Sequence, residues 1–165
     1  MADRIQKVLA NAGVASRREV ERWIRQGRLI VGDKPAQLGD QLDGDERVFL
    51  DGRLLRIRSS SECAVECIAY YKPSGEITSR KDPEKRPTIF ERLKPPRHGR
   101  WISVGRLDIN TSGLLILATD GKLAHRLMHP SYEISREYAV RVLGRISRQQ
   151  MKRLQDGVEL EDGLA

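Results

Sequence analysis

Long hydrophobic runs and paired cysteines are the features that this sequence most clearly lacks. No apolar stretch approaches the roughly 18 residues that span a bilayer, and the first residues lack the apolar segment of a secretory signal. We therefore expect no membrane association and a cytoplasmic location. The only cysteines, Cys63 and Cys67, have no second pair that would complete a zinc site. We expect both thiols to be reduced.

Histidine is also scarce, with only three residues in the chain. His125 and His129 stand four residues apart on a helix predicted between Asp120 and Pro130, and this spacing can hold zinc. No glutamate follows His125 and no third ligand is evident, so we predict no metal site. A metal-dependent hydrolase that uses Asp108 and Asp120 therefore lacks a ligand cluster.

Positive charge is in excess. The 30 lysines and arginines outnumber 23 aspartates and glutamates, for a net charge of +7. Such a charge favours a polyanionic partner, and nucleic acid is the natural candidate. Because residues of both signs are plentiful, a solvated charged surface would also account for it.

Residues 1–58 have the pattern of a compact α+β module. Asp3 is placed to cap a helix that runs to Gly13, and a capping box at Ser16–Glu19 opens a second helix that Gly27 ends. Short strands follow, with a type I′ hairpin turn at Asp51-Gly52. A polar linker is predicted at residues 59–64, and a second domain over residues 65–165.

Arginines cluster on the second helix. Arg18, Arg22 and Arg25 lie at i, i+4 and i+7, so they share one face, with Arg17 and Arg28 nearby. Such a patch can follow the phosphates of a nucleic acid through salt-dependent contacts. A solvated arginine face is the alternative.

The second domain contains one loop with the residue types of a reactive site. Residues 105–113 lie between two predicted strands, Trp101–Val104 and Leu114–Thr119, and carry Arg106 and Asp108. A carboxylate at this place can act as nucleophile, general base or metal ligand, and the arginine can keep it ionised and oriented. The same residue types also form ordinary turns.

Three further elements are predicted in this domain. A strand over Cys67–Tyr71 runs into Lys72-Pro73, and by alternation one of its two tyrosines is in the core. Arg136–Gly144 alternates in part and predicts another strand. Ser147 is placed to cap a helix that runs toward Gly157.

Three segments, in order, resemble the RNA pseudouridine synthases. Residues 105–121, GRLDINTSGLLILATDG, are similar to the family's signature loop and the strand after it. Tyr70–Gly75 resembles the upstream lysine-proline-x-glycine motif, and Arg136–Val140 the downstream REYxV motif. Residues 4–34 resemble an S4 RNA-binding domain. The resemblance implies an α+β fold, with a small S4 domain followed by a mainly antiparallel-sheet synthase domain.

The resemblance also implies roles for individual residues. Asp108 is the expected nucleophile, which either forms a covalent adduct or promotes glycosidic cleavage, with Arg106 as its electrostatic partner. Tyr138 is expected to stack on the flipped base and to remove a carbon-bound proton late in the reaction. Core packing is the alternative for a tyrosine on a strand. The residues expected to contact RNA are Arg4, Lys7, Arg17, Arg18, Arg22, Arg25, Arg28 and Lys72.

The implied reaction is the isomerisation of a uridine in 23S ribosomal RNA, free or in an assembling large subunit, without a cofactor and by a monomer. Family members continue into further strands and an arginine-rich motif that residues 156–165 do not resemble. We therefore expect this chain to be truncated within the synthase domain and weak or inactive by itself. The alternative is a non-catalytic ribosome-assembly factor built on the S4 module.

Overall fold

The computed structural model describes residues 2–43, 46–57, 64–160 and 163–164. The chain contains both helices and antiparallel sheets, which confirms the predicted α+β class. Two compact units are present, Met1–Ile134 and Ser135–Ala165. In chain order the elements are β1 (Asp3–Arg4), α1 (Ile5–Asn11), α2 (Arg17–Arg25), β2 (Leu29–Val31), β3 (Lys34–Pro35), β4 (Gln41–Leu42), β5 (Val48–Leu50), β6 (Arg53–Leu54), β7 (Cys67–Lys72), α3 (Ile89–Arg92), β8 (Ile102–Val104), β9 (Gly113–Ala118), α4 (Gly121–Met128), α5 (Arg148–Asp156), β10 (Glu159–Leu160) and β11 (Gly163–Leu164).

The N-terminal part of the first unit packs α1 and α2 against short antiparallel strands. Its core is formed by Ile5, Leu9, Val20, Ile24, Leu29, Ala36, Leu42 and Val48. These side chains recur at helical spacing on α1 and α2, so one face of each helix is apolar. The strands pair in the order β3-β2-β5-β6.

The helix starts in this part were predicted with mixed success. Ser16 caps α2, because its side chain accepts a hydrogen bond from the backbone N–H of Glu19. The prediction that Asp3 caps α1 is wrong. Asp3 pairs with Leu42 in β1, and Arg4 directly precedes the helix without a side-chain cap. The Asp3 carboxylate instead binds the Lys7 ammonium at 2.6 Å.

The predicted hairpin is present between β5 and β6. Asp51 has φ = +50° and Gly52 has φ = +75°, as a type I′ turn requires at both central positions. Leu50 and Arg53, on either side of the turn, are Cα partners in the antiparallel ladder.

A three-stranded antiparallel sheet forms the rest of the first unit. Its order is β7-β9-β8, and the ladder between β7 and β9 runs from Cys67↔Ala118 to Lys72↔Gly113. The central strand buries Leu115 and Leu117 in a second hydrophobic cluster. Tyr70 packs against that cluster and Tyr71 is exposed, which confirms the predicted alternation. The central strand is β9, so residues 105–112, which directly precede it, lie at the end of the sheet where β9 begins.

The Ser135–Ala165 unit contains α5 and a two-stranded ladder of β10 with β11. A complete capping box at Ser147 begins α5, and Gly157 follows its last residue, as predicted. The predicted strand over Arg136–Gly144 is wrong. No ladder among the described residues includes positions 137–144, and Tyr138 and Val140 are exposed. Partial alternation does not form a strand where no neighbouring strand supplies hydrogen bonds.

The predicted linker, 59–64, and Cys63 fall outside the described residues, apart from Ala64. The division into domains at 1–58 and 65–165 stays a prediction. Within the part of the chain that is described, no helix is long and apolar enough to cross a membrane.

Candidate active site and RNA-contacting surface

The loop between β8 and β9 carries Arg106 and Asp108, and its backbone is bound by residues that follow β7. The Gly75 N–H donates to the Ile109 carbonyl at 2.7 Å. The Thr78 hydroxyl donates to the Leu107 carbonyl at 2.9 Å. The loop is therefore tied to the sheet through its main chain, and no loop side chain takes part in these two bonds.

Lys72 is at the centre of this arrangement. It is the last residue of β7 and is completely buried. Its ammonium donates to the carbonyls of Asp108 at 2.9 Å, Thr111 at 2.7 Å and Pro73 at 3.1 Å. An ammonium has three N–H donors, so each donor has a carbonyl acceptor. Lys72 thereby fixes both ends of the turn that follows Asp108.

Two carboxylates balance the charge of Lys72. Burial lowers the pKa of the Lys72 ammonium, and the negative charges of Glu76 and Asp108 oppose that shift. The Asp108 carboxylate therefore has a buried cation as its electrostatic neighbour. The sequence-based expectation named Arg106 for this role.

Glu76 is itself buried and connects Lys72 to the surface. Its Oε2 accepts a hydrogen bond from the Tyr70 hydroxyl at 2.6 Å. Its Oε1 lies 2.8 Å from Arg92 Nε in an ion pair that is off the hydrogen-bond direction. Burial, and then the bond to Glu76, raise the pKa of Tyr70 to about 12. Tyr70 therefore remains a protonated donor at neutral pH.

The side chains of Arg106 and Asp108 are exposed. Among the residues that the structure describes, neither forms a hydrogen bond or an ion pair, so the expected pairing of the two is not formed. Asp108 also begins a turn, since its carbonyl accepts from the Thr111 N–H at 3.0 Å. The segment can therefore form an ordinary turn and also present a reactive carboxylate. The arrangement presents a carboxylate and a guanidinium to solvent from a fixed backbone.

Tyr138 lies in the second unit, on the segment before α5, with 61% of its surface exposed. The exposed phenol is available for stacking on a base. The alternative, that the Tyr138 side chain packs in the core, is wrong. Its catalytic role stays a prediction.

The predicted RNA-contacting residues differ in their partners. Arg4, Arg17 and Arg18 are exposed and have no ion pair with a described residue. The others on this module are paired: Lys7 with Asp3, Arg22 with Glu19, Arg25 with Glu21 and Arg28 with Asp51. Such surface ion pairs contribute little stability, so a phosphate can replace the carboxylate at small expense.

Lys72 is a correction to that set. Its ammonium is buried and donates to three carbonyls, so it has no donor left for a phosphate. The sequence placed Gly75 in the upstream motif, but it did not indicate that Gly75 or Thr78 binds the loop. The one signal in the sequence is Pro73, which ends regular strand pairing directly after Lys72.

A metal site requires several ligands that converge. Within the described part of the chain, no group of three or more histidine, cysteine, aspartate or glutamate side chains is placed to hold a metal ion. The rings of His125 and His129 lie 4.8 Å apart, and His129 Nδ1 contacts the Ser131 hydroxyl at 2.8 Å.

Comparisons with known proteins agree with this arrangement. The family model for RNA pseudouridylate synthase matches residues 66–161, and the S4 domain model matches residues 3–48. The chain is 54% identical to a protein of Yersinia pestis named ribosomal large subunit pseudouridine synthase B, with 100% of this chain and 52% of that protein covered. A protein of the same name in Pseudomonas aeruginosa is 53% identical, with 100% and 43% covered.

The corresponding protein of Escherichia coli K12 is 52% identical, with 100% of this chain and 57% of that protein covered. A solved structure titled as a pseudouridylate synthase aligns with a TM-score of 0.42 and 26% identity, over 78% of this chain and 54% of that one. The chain spans about half the length of the curated relatives it matches. Since the synthase model matches more than half of the sequence, and follows an S4 domain, the chain belongs to the RNA pseudouridylate synthase family.

Proposed function

We propose that this chain is part of an enzyme that converts a uridine of large-subunit (23S) ribosomal RNA into pseudouridine, with Asp108 as the nucleophile. The observation that supports this most directly is the loop itself. Its backbone is bound by Lys72, Gly75 and Thr78, while the Asp108 carboxylate remains exposed. A fixed backbone with an available carboxylate is what nucleophilic catalysis needs.

The reaction is an isomerisation that balances without a cofactor. The bond from ribose C1′ to N1 of the base breaks, the base rotates, and C1′ forms a bond to C5. The proton on C5 leaves and N1 gains one. Asp108 assists the first step at C1′, where positive charge develops as the base departs. The negative charge of Asp108 also interacts favourably with the buried ammonium of Lys72.

The target uridine has to leave the RNA stack before Asp108 can reach it. Unstacking a base costs a few kcal/mol. Contacts of the protein with the flipped nucleotide, and with the bases on either side of the gap that it leaves, offset this cost. Arg106, exposed two residues before Asp108, is our candidate for the group that occupies the vacated place. Tyr138 is our candidate for stacking on the flipped uracil and for removing the C5 proton.

The S4 module supplies the RNA affinity in this proposal. Arg4, Arg17 and Arg18 are exposed cations without an ion pair among the described residues, so they bind phosphate without first breaking a contact. The names of the relatives support the large ribosomal subunit as the source of the RNA.

Tritium release from 23S transcript labelled at C5 of uridine, with chelator present, tests the proposal. We would compare this chain with a version that continues at its C-terminus through the remaining length of a relative. In the extended protein, Asp108→Asn should lower the rate by about a thousandfold or more. Asp33→Asn, at an exposed hairpin position, is the matched control and should leave the rate unchanged.

Three results would contradict the proposal. Equal release by the Asp108→Asn variant would show that this carboxylate is not the nucleophile. Tight RNA binding with no release from the extended protein would favour the assembly-factor alternative. Release that requires a divalent ion would instead favour metal-dependent chemistry.

A further inference from the structure

A basic groove lies within the first unit, between the S4 module and helix α4. Its volume is about 640 Å³. None of the described residues that line it is acidic, and six of them are lysines or arginines: Lys7, Arg17, Arg18, Arg100, Lys122 and Arg126. Half of these come from the S4 module and half from the synthase part, so the groove is not a property of the S4 domain alone.

The walls of the groove are held together by close backbone contact. A Cβ atom on Gly13 would come within 2.7 Å of the Gly99 carbonyl oxygen. Gly13 also has φ = +80°, which favours glycine. Gly121, at the start of α4, lies against the Asn11 side chain. A side chain at position 13 would block this approach, so the glycine there lets the two walls with their six cations come together.

Arg100 is the most enclosed of these cations. It is half-buried, and its Nε atom has no hydrogen-bond partner among the described residues. Burial lowers the pKa of the Arg100 guanidinium, and the positive charges of Arg80 and Arg17 lower it further. The Arg100 guanidinium thus lies near other positive charges and has a buried N–H donor without an acceptor. An anion that enters the groove would stabilise it on both counts.

Aromatic rings stand at the α4 end of the groove. His125 and Tyr132 both line it, with ring centroids 6.2 Å apart in an edge-to-face arrangement. Nearly half of the Tyr132 surface is exposed (48%). Basic grooves that carry exposed rings are typical of proteins that bind single-stranded nucleic acid, because the cations follow the backbone and the rings stack on bases.

We propose that this groove binds a single-stranded segment of the substrate RNA, with its phosphates on Arg100, Lys122 and Arg126 and a base against Tyr132. The proposal rests on the proposed function, which makes RNA the substrate. It adds a binding site formed jointly by the S4 module and the synthase part, apart from the Asp108 loop. Fixing the RNA at this second place would limit which uridines reach Asp108.

Fluorescence anisotropy with this chain and a labelled single-stranded segment of large-subunit RNA tests the phosphate contacts. The variant Lys122→Gln with Arg126→Gln removes two exposed cations from the groove. The matched control, Lys34→Gln with Arg53→Gln, removes two exposed cations from the sheet of the S4 module. Each contact to a single strand contributes about 0.7 to the slope of log K against log salt.

We expect the groove variant to reduce that slope by about 1.4 and the control to leave it unchanged. Equal slopes for the two variants would overturn the proposal, because only net charge would then matter. If inorganic phosphate displaced the RNA better than chloride at the same ionic strength, the groove would be a small-anion site and the proposal would be wrong.

Variants of Tyr132 test the stacking contact. Tyr132→Leu should weaken binding of the single strand by about fivefold or more, whereas Tyr132→Phe should retain it. Binding of a duplex of the same sequence should not respond. Indistinguishable affinities for the two variants would overturn the stacking assignment. Arg100→Gln, checked by circular dichroism for an unchanged fold, should weaken binding as the groove variant does.

These binding measurements separate the groove from the chemistry. Asp108-dependent tritium release together with an unchanged salt slope would refute the groove alone. A reduced slope without any release from the extended protein would refute the isomerase and leave a single-stranded RNA site.

Discussion

Replacing Lys72 by methionine is the most informative perturbation of the candidate site, because it changes the loop under Asp108 without touching an exposed side chain. The ammonium donates to the carbonyls of Asp108, Thr111 and Pro73. Methionine has a similar length but no donor. After the substitution the Asp108 carbonyl still accepts from the Thr111 N–H, so two carbonyls lose their donor.

The expected cost follows from those two carbonyls. A buried acceptor left without a partner costs about 1–3 kcal/mol, which gives roughly 2–6 kcal/mol for the pair. Two effects reduce this figure. Thr111 and Pro73 are half-buried, so water can approach, and methionine no longer desolvates a charge. We expect a net loss of about 2 kcal/mol in the free energy of unfolding.

Urea unfolding followed by tryptophan fluorescence measures this loss. A Trp23→Phe background leaves Trp101, in the second hydrophobic cluster, as the reporter. Lys81→Met, at an exposed loop position, is the matched control and should unfold as the parent does. If Lys72→Met were as stable as Lys81→Met, the account of Lys72 as the residue that holds the loop would be refuted.

Three further predictions follow from single contacts. Tyr70, with a pKa raised to about 12, should still be protonated at pH 10 when its ionisation is followed by ultraviolet absorbance. Because the folded state keeps that proton longer than the unfolded state, stability should fall as the pH rises from 10 to 12, and Tyr70→Phe should remove this dependence. Hydrogen bonds from Arg86 lower the pKa of Asp82, so the stability that this pair gives is present above pH 3.8 and lost at lower pH. Asp82→Asn should therefore be less stable than the parent at neutral pH in urea unfolding, with the difference vanishing in acid, and a constant difference would contradict this. Gly13→Ala should destabilise by about 2 kcal/mol or more, through strain and backbone overlap. Gly27→Ala, with φ = +66° and no atom within 4 Å, should cost about 1 kcal/mol, and equal losses would refute the close contact at Gly13.

Several local elements could be predicted from the sequence because their signals are short-range. The apolar run from Leu114 onward predicted β9, and the turn residues at Asp51-Gly52 predicted the hairpin. The position of Asp108 between two strands followed from these runs. All of these depend on neighbouring residues alone, which a single sequence records.

The partners of Lys72 could not be predicted, because two of its three acceptors are 36 and 39 residues away in sequence. A lysine at a strand end is ordinarily exposed, and nothing local marked this one as buried. The same limit produced the wrong strand over Arg136–Gly144. Alternation identifies a segment that would fit a sheet, whereas a strand also requires a neighbour.

In the candidate site, hydrogen bonds to the main chain fix the loop, whereas exposed side chains are available for chemistry. Variants of the two groups should therefore behave differently. Residues 72–78 form hydrogen bonds only with main-chain atoms of the loop, so changes there should lower stability and activity together. The side chains of Arg106 and Asp108 are exposed and form no hydrogen bond or ion pair with described residues, so Arg106→Gln and Asp108→Asn should leave the free energy of unfolding within about 0.5 kcal/mol of that of the parent. Urea unfolding and tritium release on the same preparations would distinguish these cases. A marked loss of stability in Asp108→Asn would mean that the carboxylate holds the loop, and would remove the reason for calling it available for chemistry.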